Sequence, residues 1–169
     1  MSALTIAGRC SETPPAADWR ERLTKMLGEK PRRIGLWAEL GLYGALSCMA
    51  AAGESTLPDG ALLLAGSRSG TQAATRAVLG QMKTDLPMPL TFLQTQPSQL
   101  LTQLAACLNW QGNACFLAGA SLAELQEWAV LQMGPAGALI GWLDDAEGGS
   151  IEWLRIFPAA QCQRGAIDR

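Results

Sequence analysis

Two apolar runs without polar interruption, ALLLA at 61–65 and AGALIGWL at 136–143, stand out in the hydrophobic pattern of the chain. Runs of this length read as strands, and the lack of alternation predicts a sheet covered on both faces. A turn at Pro58-Asp59-Gly60 leads into the first, and Gly134-Pro135 precedes the second. A first short strand is expected over 3–9, and another over 114–119. IEWLRIF alternates, which predicts a last strand with one wetter face. Between these runs the pattern is helical. Asp18 is a candidate N-cap for WRERLTKML, which stops at Gly28. RRIGLWAELGLYGALSCMAAAGE follows Pro31, and Gly53 is its natural stop. Its Gly and Ala content predicts close packing against another element. Further helices are expected from about Ser69, over SQLLTQLAACL with Pro97 in the first turn, and over 121–132. Pro87 and Pro89 mark an extended connection, 144–149 a polar turn, and 158–169 a loose tail.

Strands and helices that alternate in this way predict an α/β domain over 1–157, a central sheet of five strands with helices on both sides. At 169 residues, 49% hydrophobic and 17% charged, the chain has enough apolar surface for an ordered core. A net charge of −2 and six dispersed tryptophans argue against nucleic acid as a partner. No run is long enough for a membrane span and no leader pattern is visible, so a cytoplasmic protein is expected. The five cysteines, Cys10, Cys48, Cys107, Cys115 and Cys162, have no C-x-x-C spacing and read as free thiols. Cys107 and Cys115 are expected to be buried as small hydrophobes. The chain has no histidine. Ser-His-Asp and Cys-His catalysis within it is thereby excluded, and neither a metal nor a cofactor is expected.

Charge is also patterned. No Asp, Glu, Lys or Arg occurs over 86–123. The helix at 97–108 and the strand at 114–119 are therefore expected to face other protein, whether a core or a subunit interface. By contrast Arg20, Arg22, Lys25, Lys30, Arg32 and Arg33 alternate with Glu21 and Glu29 and read as a solvated face.

Two stretches resemble sites. GSRSGT at 66–71 lies between strand and helix, where backbone N–H groups can hold a phosphate, but it lacks the spacing and the lysine of a P-loop. An ordinary tight turn is the favoured reading. GNACFLAGASLAELQEWA at 112–129 places Ser121 at a helix start, where a nucleophile would gain from backbone N–H groups. Ser121 and Glu124 also form S-x-x-E, the capping box, and no histidine is available as a base. Capping is the favoured role.

The order of these pieces resembles the N-terminal half of the β-ketoacyl synthases of fatty-acid and polyketide assembly. RRIGLWAELGLYGALSCMAAAGE, with Gly41 and Gly53, is similar to the family's Gly/Ala-rich helix, and ALLLAGSRSGT to the strand and loop after it. PLTFLQTQPSQLLTQLAACLNWQG is similar to its extended segment, helix and L-G-x-x-G-P signature, here Leu108 to Asn113. GNACFLAGA is similar to the strand that leads to the nucleophile. The resemblance runs from about Ile34 to Leu143. It implies a thiolate-free relative on a thiolase-like fold, a three-layer α/β/α half with a mixed five-stranded sheet and an antiparallel last strand. The family's catalytic cysteine falls on Ser121. Its catalytic histidines belong to a C-terminal half without a counterpart in this sequence.

The resemblance further implies a partner. In the family the strand at 114–119 pairs across a twofold axis, so Asn113, Ala114, Cys115, Phe116, Leu117 and Ala118 are the expected interface. The first expectation is a non-catalytic protein of the chain-length-factor kind. It would form a homodimer, or a heterodimer with a ketosynthase, and contact an acyl carrier protein, in fatty-acid or polyketide synthesis, aryl polyenes included. The alternatives are an acyltransferase that uses Ser121 with a base from a partner chain, and a monomeric acyl-chain or small-molecule binder.

Overall fold

In the computed structural model, which describes residues 4–86 and 88–159, the two unbroken apolar runs are neighbouring parallel strands. They are β2 (Leu62–Ser67) and β4 (Ala138–Asp144). With β1 (Leu4–Glu12), β3 (Ala114–Ala118) and β5 (Ser150–Pro158) they form one mixed sheet in the order β1-β5-β4-β2-β3. β3 is parallel to β2, and β5 is antiparallel to both β4 and β1. The expected α/β fold with five strands and an antiparallel last strand is present. β5 runs through Pro158, one residue into the expected tail; residues 160–169 of that tail lie outside the described residues.

Residue alternation along the strands divides the core. Leu63, Ala65, Leu139, Leu143, Ile151 and Trp153 turn to one face, where α1 (Trp19–Leu27), α2 (Leu36–Ala51) and α5 (Ser98–Cys107) cover them. Leu64, Ala138, Ile140, Leu154 and Ile156 turn to the other and meet Leu125 and Ala129 of α6 (Leu122–Gln132). One face of the sheet is therefore thickly covered and the other thinly.

The glycines of α2 explain how it comes so close. A Cβ at Gly44 would stand 2.5 Å from the Trp153 ring, and one at Gly141 of β4 2.3 Å from the same ring. At Gly41 it would meet Leu100 of α5 at 2.5 Å. Contacts this short cannot be relieved without moving the core. The close packing expected of this helix is thus specific: the indole of β5 fits into space left by two glycines.

Several expectations are corrected. β5 does not have a wetter face: Ile151, Trp153, Leu154, Arg155 and Ile156 are all buried. Arg155 can be there because its guanidinium meets Glu54 at 2.6 Å and lies 4.0 Å from the Phe157 ring. The connection that begins with Pro89 is a short helix, α4 (Pro89–Leu93), rather than extended chain, since proline at the first helical position loses no needed N–H; Pro87 lies outside the described residues. α3 (Gln72–Gln81) starts three residues later than Ser69. Asp18 occupies the N-cap position of α1 without a side-chain cap, because its carboxylate meets Arg22 instead. Cys107 and Cys115 are half-buried, while Cys10 and Cys48 are buried; all four are free thiols, and Cys162 lies outside the described residues. No helix among the described residues is long and apolar enough to cross a membrane.

Candidate functional site

Ser121 sits where β3 turns into α6. β3 ends at Ala118, Gly119 takes a left-handed conformation with φ +77°, and Ala120 leads into the helix. The turn is fixed from two sides. The Gly119 N–H donates to the Ser67 carbonyl at 2.8 Å, and the Trp142 indole N–H donates to the Ala120 carbonyl at 2.9 Å. The start of α6 is thereby tied to β2 and to β4.

The expected capping box is present in full. The Glu124 N–H donates to Ser121 Oγ at 3.3 Å, and the Ser121 N–H donates to Glu124 Oε2 at 2.8 Å. The Ser121 hydroxyl also donates to Glu124 Oε2, at 2.7 Å. These bonds from the Ser121 backbone and hydroxyl hold the Glu124 carboxyl below its usual range. Such a carboxylate is a weak base. Ser121 is exposed and opens on a cavity of about 270 Å³ shared with Arg68, Gly119, Leu122 and Trp142. Neither Arg68 nor Trp142 can be associated with Ser121 from the sequence, since both reach it through strand order.

The loop at 66–71 is occupied by the protein's own groups. The Gly70 N–H donates to Ser67 Oγ at 2.8 Å, and the Ser69 hydroxyl donates to Asp144. The facing Asp144 carboxylate repels an anion, so the tight-turn reading stands. The neighbouring Asp145 carboxyl is pushed up by burial, with the Asp144 charge adding to the shift. In the basic cluster Arg20 pairs with Glu39 and Arg22 with Asp18, both arginines well exposed. Among the described residues, no group of three or more His, Cys, Asp or Glu is placed to hold a metal ion.

The proposed interface residues come together on one edge. Among the described residues β3 is the last strand in the order and is hydrogen-bonded only to β2. Asn113, Ala114 and Ala118 are exposed, while Cys115, Phe116 and Leu117 are half-buried. The Phe116 ring meets Trp37 edge-on at 5.6 Å. The charge-free helix α5 buries Leu100 and Leu104, so part of its neutrality serves the chain's own core. Further exposed apolar side chains lie earlier, on α3, on α4 and on the segment between them. There Leu79, Met82, Leu86, Met88 and Phe92 are each more than half exposed. The uncharged stretch from Leu86 onward is the signal that overlaps them; Leu79 and Met82 lie among charged neighbours and gave none.

No protein-family model matches the chain, and no curated protein matches it. Solved structures do. One is the ketosynthase (ApeO) in complex with its chain length factor (ApeC) from Xenorhabdus doucetiae, with a TM-score of 0.65 at 13% identity over 93% of this chain and 79% of that one. A second is the ishigamide ketosynthase/chain length factor, with a TM-score of 0.66 at 16% identity over 84% of this chain and 49% of that one. A third is the AntDE:AntF complex of a type II polyketide acyl carrier protein with its ketosynthase, at 0.64 and 9% over 98% and 65%. The chain thus spans between about half and four-fifths of the length of these neighbours. Identities this low speak for architecture alone, and on that ground the chain has the thiolase-like fold of the ketosynthases and their chain length factors.

Proposed function

We propose that this chain acts by association, as a non-catalytic ketosynthase-like partner in polyketide or fatty-acid synthesis. The observation that carries this reading is the open β3 edge. Among the described residues its backbone is paired on one side only, and the strand bears no charge. The exposed apolar side chains on and between α3 and α4 fit the same reading, since such side chains, where they cluster, mark contact surfaces. Three of the structural neighbours are complexes of a ketosynthase with a chain length factor or a carrier protein, which supports a heterodimer with a ketosynthase and an acyl carrier protein as a further partner; a fourth, a β-ketoacyl synthase from Burkholderia phymatum, keeps the homodimer as the alternative. The Ser121 hydroxyl is committed to a helix cap and the chain has no imidazole, so its contribution is surface and shape.

The test is a tagged pull-down from native cell extract, followed by reconstitution with the purified candidate. Recovery of a full-length ketosynthase that forms a stoichiometric complex is the expected result. Bait alone, with a monomeric mass in solution, would overturn the reading and leave the monomeric binder, for which acyl ligands should raise the melting temperature. A second reading, acylation of Ser121 with a partner's base, is favoured by the exposure of Ser121 beside the cavity. It requires a covalent acyl adduct after exposure to acyl-CoA or acyl carrier protein, lost in Ser121→Ala.

A further inference from the structure

At position 121, the groups that would stabilise an anion are already satisfied from within the chain. An acyl-transfer site at a helix start needs a backbone N–H for the oxyanion and a nucleophile free to lose its proton. Here the Ser121 N–H ends on Glu124 Oε2 at 2.8 Å, and the hydroxyl proton ends on the same oxygen at 2.7 Å. The hydroxyl's acceptor capacity receives the Glu124 N–H. One residue therefore takes up both donors and an acceptor site of Ser121. It also places a negative charge where a thiolate, an alkoxide or an oxyanion would have to form.

We propose that Glu124 is an internal occupant of the anion-stabilising groups at Ser121, and that this clasp closes position 121 to acyl chemistry independently of which nucleophile stands there. The inference deepens the association reading and rests on its placing of the family's nucleophile at Ser121. Restoring a cysteine would then not restore a reactive thiol. Among the described residues, the charged groups at the position are Glu124 on α6 and Arg68 on the loop after β2. Arg68 favours a thiolate and is kept in every variant, so a difference between variants reports Glu124.

The experiment compares Ser121→Cys with Ser121→Cys/Glu124→Gln in the full chain. Each is alkylated with iodoacetamide across pH 6–10, and the introduced thiol is followed by peptide mass mapping. Glutamine preserves the capping box, so the helix start is retained while the charge is removed. An ordinary cysteine titrates near pH 8.5, and a free helix N-terminus lowers that value. The expected result is a midpoint at or above about 8.5 in Ser121→Cys, and one lower by about a unit in the double variant. The gain in rate at pH 7 is smaller, about threefold, because a more acidic thiolate is also less nucleophilic.

Coincident midpoints, or a midpoint in Ser121→Cys already below about 7.5, would overturn the clasp. If the double variant melts early, the same comparison is made below its transition, at a temperature where circular dichroism shows both variants folded. The readout comes from the isolated chain and is indifferent to partners. Failure of the pull-down would therefore leave it standing, and a reactive thiol beside Glu124 would sink it while leaving association intact.

Discussion

The sheet has two edges, and they are finished differently. β1 has a register shift between Ile6 and Gly8, and it carries Arg9, which is paired with Glu152 across the strand. Its end is anchored by Glu12, which accepts from the Tyr43 hydroxyl at 2.9 Å and from the Ala16 N–H at 2.8 Å. Bulges and charges of this kind blunt an edge against pairing with another chain. β3 has neither. It is five residues long, regular in register and without a charged residue. Among the described residues one edge is thus blunted and the other is not, a contrast that fits the association proposed through β3.

The largest effect should come from making the edges alike. A lysine at Leu117 or Ala118 puts on β3 the kind of charge that β1 already has. Either is expected to weaken the complex at least about tenfold by sedimentation or mass photometry, roughly 1.4 kcal/mol. Arg9→Ala on β1 should leave it within about twofold. Unchanged association in both lysine variants would remove β3 as the interface.

Thiol chemistry sharpens the same contrast. Burial pushes the Cys10 thiol of β1 up to about 11, with the Glu12 charge adding to the effect, and pushes its neighbour Cys48 up to about 12. Cys115 of β3 is only half-buried. At pH 8 iodoacetamide should label Cys115 at least about tenfold faster than Cys10 or Cys48, and complex formation should slow Cys115 alone. Equal rates would mean that the two edges are equally closed. The smallest effect belongs behind the open edge. Ser121→Ala removes the cap of α6 and should cost about 1 kcal/mol in urea unfolding with association unaltered; weakened association would show that the turn after β3 belongs to the interface.

Much of this was legible from local pattern. β2 and β4 showed themselves by unbroken apolar runs, and the Ser121–Glu124 box by its spacing, because each depends on residues close in sequence. What was not legible depends on distant partners. Arg155 looks like the polar member of an alternating strand until Glu54, 101 residues away, is seen to neutralise it. Asp18 is a different case: its competitor Arg22 is only four residues on, and the sequence offers cap and ion pair alike without deciding between them. The lack of charge in α5 leaves core and interface both open; Leu100 and Leu104 pack inward, and most of the exposed large apolar side chains lie upstream, between Leu79 and Leu93. The cavity shared by Ser121, Arg68 and Trp142 follows from the sheet order, which no single segment encodes.

The fit of Trp153 between Gly44 and Gly141 also constrains how this sequence can drift. Either glycine can acquire a side chain only after the tryptophan has been exchanged for something smaller, and that exchange alone opens a cavity that costs about 3–5 kcal/mol when taken as far as alanine. The three positions are therefore mutually contingent, and change at them has to come in a set order or together. Relatives that diverge almost everywhere else should preserve this triad or replace it as a block, which makes it a better marker of shared descent than the exposed residues around Ser121.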